Sequence, residues 1–130
     1  CIFGILASRI GRHEDAYTYF AQSARMDLDD YHDNFYAGIH AANMAGTWQS
    51  IVFGFAGLRL VNGVPEFKFY IPEAWNGYHF TVKIKRSVLA VDVLPDGWTI
   101  TLQSGDAVNF LVEGKPYKLT EKGATCHEAL

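Results

Sequence analysis

The spacing of the apolar residues changes near residue 58, and this change restricts the chain to an architecture in which helices and strands occupy separate parts. Before that point Ile2, Ile5, Leu6 and Ile10 fall on one helical face, and Gly11 supplies a left-handed stop, so a first helix runs to about Arg9. Glu14-Asp15 then put negative charge into a new first turn. Ala16, Tyr19, Phe20, Ser23 and Ala24 follow at three- and four-residue spacing, and Arg25 stands near the end, which defines a second helix. The connection Gly11-Arg12-His13 is short enough to make the two helices antiparallel neighbours. A third helix is expected over 39–55, ending in Gly54-Phe55-Ala56-Gly57.

From Leu58 onward the period is two. Alternating segments begin at Tyr78, Leu89, Trp98 and Val108, separated by the turns Pro95-Asp96-Gly97 and Ser104-Gly105-Asp106, and Asn62-Gly63 signals another hairpin. About three helices followed by about six strands make an α-then-β, segregated chain with an antiparallel β-sandwich or open barrel in its second part. The expected division is 1–58 for the helices and 59–130 for the β domain.

Composition removes several classes of function. Hydrophobic residues make up 49% of the 130 and charged residues 19%, so a packed core is available and disorder is not expected. The net charge of −3 gives no drive toward nucleic acid or an anionic membrane. The longest apolar stretch, 51–58, has 8 residues, whereas a bilayer span needs about 20. No signal-peptide pattern stands at the start, and a first residue Cys1 in mid-helix reads as part of a longer protein. Cys1 and Cys126 have no metal-ligand spacing.

Chemistry concentrates in the third helix. Asp and Glu number six in residues 1–33, none in 34–65 and eight in 66–130, so this helix carries no carboxylate, and such an uncharged helix is expected to be buried. At about 100° per residue His40, Asn43, Thr47 and Ser50 form one polar strip, surrounded by Ala37, Gly38, Ala41, Ala42, Ala45 and Gly46. The strip is either a set of internally satisfied core groups or the polar wall of a site. In the second case Gly38 beside the helix start and a His donor describe an anion site. The acidic segment 27–33 fails as a calcium loop, because Tyr31, His32 and Gly38 stand where an oxygen ligand, Gly and Glu are required. His13, His32, His79 and His127 have no second ligand at metal spacing. Lys83-Ile84-Lys85-Arg86 reads as a solvated strand face with Lys83 and Lys85 outward. Trp75, Tyr78, Trp98 and Tyr117 are core aromatics or, if exposed, platforms for sugar rings. No serine stands in a nucleophile-elbow pattern.

The segment Gly38-Ile39-His40-Ala41-Ala42-Asn43-Met44-Ala45-Gly46-Thr47-Trp48, continuing through Gln49-Ser50-Ile51-Val52-Phe53-Gly54-Phe55-Ala56-Gly57-Leu58-Arg59, resembles glycoside hydrolase family 65. Ile5-Leu6-Ala7 with Gly11, Ala16-Tyr17 with Phe20, and Arg25-Met26-Asp27-Leu28-Asp29-Asp30 extend the resemblance upstream. Phe67, Ile71-Pro72, Trp75 and Phe80 extend it to about residue 90.

The resemblance implies that 1–58 are the last helices of an (α/α)6 barrel and 59–130 a C-terminal antiparallel β-sandwich. It implies an inverting phosphorylase of maltose, trehalose or kojibiose type, in which a Glu protonates the glycosidic oxygen while inorganic phosphate attacks the anomeric carbon to give β-glucose 1-phosphate. By motif match His40 corresponds to the family's phosphate-contacting histidine, with Gly38 and Ile39 as its neighbours. No catalytic residue lies in this segment, so the segment alone is expected to be inactive. Phosphate is a co-substrate and no cofactor or metal is expected. The partners are a disaccharide and phosphate, with no nucleic acid or membrane, in a cytoplasmic parent expected to be a homodimer. A family 65 α-glucoside hydrolase and a non-catalytic sugar-binding or interaction β domain are the alternatives. An inverting hydrolase needs a carboxylate base and a phosphorylase needs donors, and residues 34–65 hold donors only.

Overall fold

The computed structural model describes residues 1–30, 33, 36 and 38–130. The positions Tyr31, His32 and Ala37 singled out above lie outside the described residues. The chain divides into two compact units, Cys1–Gly57 and Leu58–Leu130.

The first unit contains α1 (Ile2–Arg9), α2 (His13–Arg25) and α3 (Ala41–Gln49), the last continuing directly into a π-helical segment (Ser50–Phe55). The single long helix expected over 39–55 is therefore corrected. It starts two residues later and changes hydrogen-bond pattern at Ser50, as shown by the Ala56 N–H donating to the Ile51 carbonyl at 2.8 Å. The Ser50 hydroxyl donates back to the Gly46 carbonyl at 2.9 Å, a bond that competes with the helix ladder at the point where the pattern changes.

The helices pack through small residues. On α1 the buried positions are Gly4 and Ala7, and the bulky Ile2, Leu6 and Ile10 are exposed. A side chain on Gly4 would meet the backbone of α2 at the Ala16 carbonyl, 3.4 Å away, and one on Gly54 would lie 3.2 Å from the Ser8 hydroxyl. Ala16, Phe20, Val52, Phe55 and Ala56 form the core of this unit, with the Phe20 and Phe55 rings edge to face at 5.2 Å. The expectation that the uncharged third helix is buried holds for its second half, where Ser50, Val52, Gly54 and Phe55 are buried, and is corrected for α3. Only Gly46 is buried in α3, and Met44 and Trp48 are exposed.

The second unit has eight strands rather than six: β1 (Arg59–Val61), β2 (Val64–Phe67), β3 (Tyr78–Ile84), β4 (Ser87–Leu94), β5 (Gly97–Ser104), β6 (Val108–Val112), β7 (Lys115–Leu119) and β8 (Thr125–Glu128). They form two four-stranded sheets, ordered β1-β2-β6-β7 and β3-β4-β5-β8. All pairings are antiparallel except β2 with β6, which is parallel with Glu66 opposite Leu111 and Phe67 opposite Val112. Asn62 and Gly63, both at positive φ, close the β1–β2 hairpin in the way the dipeptide predicts.

Between the sheets lies a core of alternate residues, among them Leu89, Val91 and Val93 from β4, Trp98, Ile100 and Leu102 from β5, and Phe110 and Val112 from β6. Trp98 joins the two sheets: its ring is 6.4 Å from Phe110 and 5.1 Å edge to face from Tyr117. Lys83 points outward from the edge strand β3, but Lys85 belongs to the turn after it, with φ 55°. Arg86 is spent on Asp106 at 2.6 Å.

Candidate functional site

His40 stands at the N-cap of α3, and its surroundings are set by the end of α2. After Arg25 the chain makes a turn in which the N–H groups of Leu28 and Asp29 donate to the Arg25 carbonyl at 3.0 and 2.9 Å. The Arg25 guanidinium grips Asp29 through two bonds, Nε to Oδ2 at 2.6 Å and Nη2 to Oδ1 at 2.7 Å. Asp27 sits inside this braced turn and reaches His40 with both carboxylate oxygens. Oδ2 accepts the His40 backbone N–H at 2.9 Å, and Oδ1 pairs with the ring Nδ1. The Asp27 side chain is 13% exposed and that of His40 34%.

The hydrogen bond from the His40 ring, followed by that from its backbone N–H, holds the Asp27 carboxyl below the ordinary carboxylate range. Asp27 is therefore an ionised acceptor at neutral pH. An ionised carboxylate has no proton to give, so the Nδ1 facing it carries the hydrogen, and the tautomer of His40 follows from that assignment.

The rest of the polar strip turns inward. Asn43 accepts the Ser23 hydroxyl at 2.6 Å and donates to the Ser23 carbonyl, and Cys1 Sγ lies 3.0 Å from the same hydroxyl. Thr47 donates to the Asn43 carbonyl at 2.9 Å, as Ser50 does to that of Gly46. Asn43 thus ties α3 to α2, while Thr47 and Ser50 bond back to their own helix, so all three hydrogen-bond internally.

Gly38, at φ 85°, and Ile39, which is exposed, lie on the irregular approach to α3 rather than within it. The helix start also differs from an open anion site, because the His40 N–H and the positive end of α3 already face the Asp27 carboxylate. Asp27 is not legible as a site residue in the sequence, because it reaches the carboxylate-free stretch 34–65 from thirteen residues before His40. The available signal was that the 25–30 and 38–48 motifs flank one short loop.

In the β unit Trp98 is 3% exposed and belongs to the core. Trp75, 6.2 Å from the Tyr78 ring, borders a cleft of about 440 Å³ together with Tyr70, Glu73 and Glu113. His79 pairs across strands with Asp92 at 2.7 Å on the exposed face.

The helical unit, with an Asp-clamped histidine at a helix start, is followed by a two-sheet β unit, and comparison with known proteins shows the family to which this arrangement belongs. The profile of the glycosyl hydrolase family 65 central catalytic domain matches residues 1–49, and that of the family 65 C-terminal domain matches residues 58–119. The chain belongs to glycosyl hydrolase family 65. It is 39% identical over 121 residues to the α,α-trehalose phosphorylase of Geobacillus stearothermophilus, covering 93% of this chain and 16% of that protein. It is 36% identical over 120 residues to the kojibiose phosphorylase of Caldanaerobacter subterraneus subsp. tengcongensis, covering 91% of this chain and 16% of that protein. A solved structure described as a kojibiose phosphorylase from the human microbiome superposes with a TM-score of 0.88 at 34% identity, over 98% of this chain and 17% of that one. The chain thus spans about one sixth of the length of these relatives.

Proposed function

We propose that this chain is the C-terminal part of an inverting disaccharide phosphorylase. The whole protein converts an α-linked glucose disaccharide of maltose, trehalose or kojibiose type, with inorganic phosphate, into β-glucose 1-phosphate and a released sugar. The observation that carries this reading is likeness along nearly the whole chain to proteins named as trehalose, kojibiose and maltose phosphorylases. In it, 1–58 supplies the last helices of an (α/α)6 barrel and His40 contacts phosphate. The general acid and most of the sugar pocket belong to other parts of the whole protein. Retention of a charged sugar phosphate within the cytoplasm would suit the reaction, and a homodimer is the expected assembly.

The site chemistry favours phosphorolysis over hydrolysis. An inverting hydrolase needs a carboxylate free to activate water on the face opposite the leaving group. Asp27 is the carboxylate nearest the proposed site in this segment, and both its oxygens are engaged by His40. Phosphate arrives already anionic and needs donors only.

The full-length enzyme, incubated with each disaccharide with and without inorganic phosphate, tests the reading. Phosphate-dependent appearance of β-glucose 1-phosphate is expected, and equal glucose release without phosphate would show a hydrolase instead. His40→Ala removes one charge-assisted hydrogen bond of about 1.5–3 kcal/mol, so kcat/KM for phosphate should fall roughly 10- to 150-fold while disaccharide KM changes little.

A further inference from the structure

We propose that Asp27 is a positioning residue for phosphate, fixing the His40 imidazole so that its Nε2 edge meets the anion; this rests on the reading of His40 as a phosphate ligand. The carboxylate holds His40 at two points, the backbone N–H at 2.9 Å and the ring Nδ1, so the cap of α3 and the plane of the imidazole are set together. Asp27 is itself held in place by its turn, where Leu28 and Asp29 bond back to the Arg25 carbonyl and Arg25 grips Asp29. Arg25 and Asp29 neutralise each other, and Asp27 is the carboxylate that bonds the ring.

With Nδ1 committed to the carboxylate, contact with phosphate falls to Nε2, and Nε2 donates only when the ring is an imidazolium. The arrangement is the one by which outer partners orient a ligand-binding histidine, where loss of the partner typically lowers affinity or activity about 10- to 100-fold.

Asp27→Asn tests this in the full-length enzyme, because the amide keeps an oxygen for the His40 N–H while removing the negative charge from the ring. The variant is expected to lose roughly 10- to 100-fold in kcat/KM for phosphate, with disaccharide KM within about twofold of wild type. In a His40→Ala background the same substitution should cost less than about twofold more, because its effect passes through the ring. Losses that multiply in the double variant would show that Asp27 acts independently, overturning the proposal. So would a fall in both substrates' kinetics that tracks a lowered Tm. If His40→Ala costs activity and Asp27→Asn does not, the positioning role fails and the phosphate role of His40 stands. Unchanged phosphate kinetics in His40→Ala would remove the phosphate reading and this proposal with it.

Discussion

A Cβ on Gly46 would lie 2.0 Å from the Sγ of Cys1 and 2.7 Å from its Cβ, so the start of α1 rests directly on the bare backbone of α3. The contact brings Cys1 into the Ser23–Asn43 hydrogen-bond cluster. Gly46→Ala gains about 1 kcal/mol of helix propensity but forces overpacking that typically costs about 1–3 kcal/mol. The expected net result is a lower Tm. Cys1→Gly in the same molecule should restore most of the loss by emptying the space. Thermal melts of the single and double variants check this, and a raised Tm for Gly46→Ala alone would contradict the contact.

Tyr78 gives the opposite expectation. Its hydroxyl is buried with no hydrogen-bond partner among the described residues, and burial, then the nearby Tyr70, pushes its ionisation well above the ordinary tyrosine range. A buried polar group left unpaired costs about 1–3 kcal/mol. Tyr78→Phe keeps the ring stacked on Phe80 and removes only the oxygen, so stability of the β unit should hold or rise. Ser50→Ala, which removes a buried hydroxyl bonded to Gly46, should destabilise instead, and denaturant midpoints of the two variants compare them directly.

These cases show which parts of the structure were legible in sequence. Helix positions, the Asn62-Gly63 hairpin and the alternating strands that became β3 to β6 were readable because periodicity and turn chemistry are local. The strands β7 and β8 were not, since Lys115-Pro116 and Thr125-Cys126-His127 carry no strong alternation and owe their state to the neighbours they pair with. The contact that α1 makes with α2 was not legible for a related reason. Bulky apolar spacing places Ile2, Leu6 and Ile10 on one face, which is exposed here, while close approach to α2 selects Gly4. At the site, His40 was recognisable from its motif, but its partner was not, because a contact made across a loop leaves no periodic trace.

Acid should weaken the helical unit through the turn after α2. The carboxyl of Asp27 is lowered first by the His40 ring bond, and that of Asp29 by the side-chain bond from Arg25. A carboxyl titrating lower in the folded than in the unfolded chain binds fewer protons when folded. Its stabilisation is therefore complete above the unfolded value of about 3.9 and disappears as pH falls through the folded one. Helical circular dichroism combined with denaturant titration should show stability declining from about pH 5 downward. In Asp27→Asn the decline should be shallower, starting from a lower plateau at neutral pH. A slope identical to wild type would mean that the Asp27–His40 bond does not form in solution.

The exposed face of α1 predicts how this 130-residue chain behaves when isolated. Ile2 is 70% and Ile10 72% exposed, with Phe3 and Leu6 beside them, and so large a contiguous apolar surface favours association. Sedimentation velocity should show a concentration-dependent oligomer. Because both side chains already face solvent, Ile2→Lys with Ile10→Lys should alter stability of the isolated chain by no more than about 0.5 kcal/mol per site, yet move it toward monomer. In the full-length enzyme the same pair reports on the proposed barrel. If neighbouring helices cover this face, two buried unpaired charges will lower its Tm steeply and reduce soluble yield. An unchanged Tm in the full-length enzyme would mean that the face is open there too and that α1 is not packed within a barrel wall.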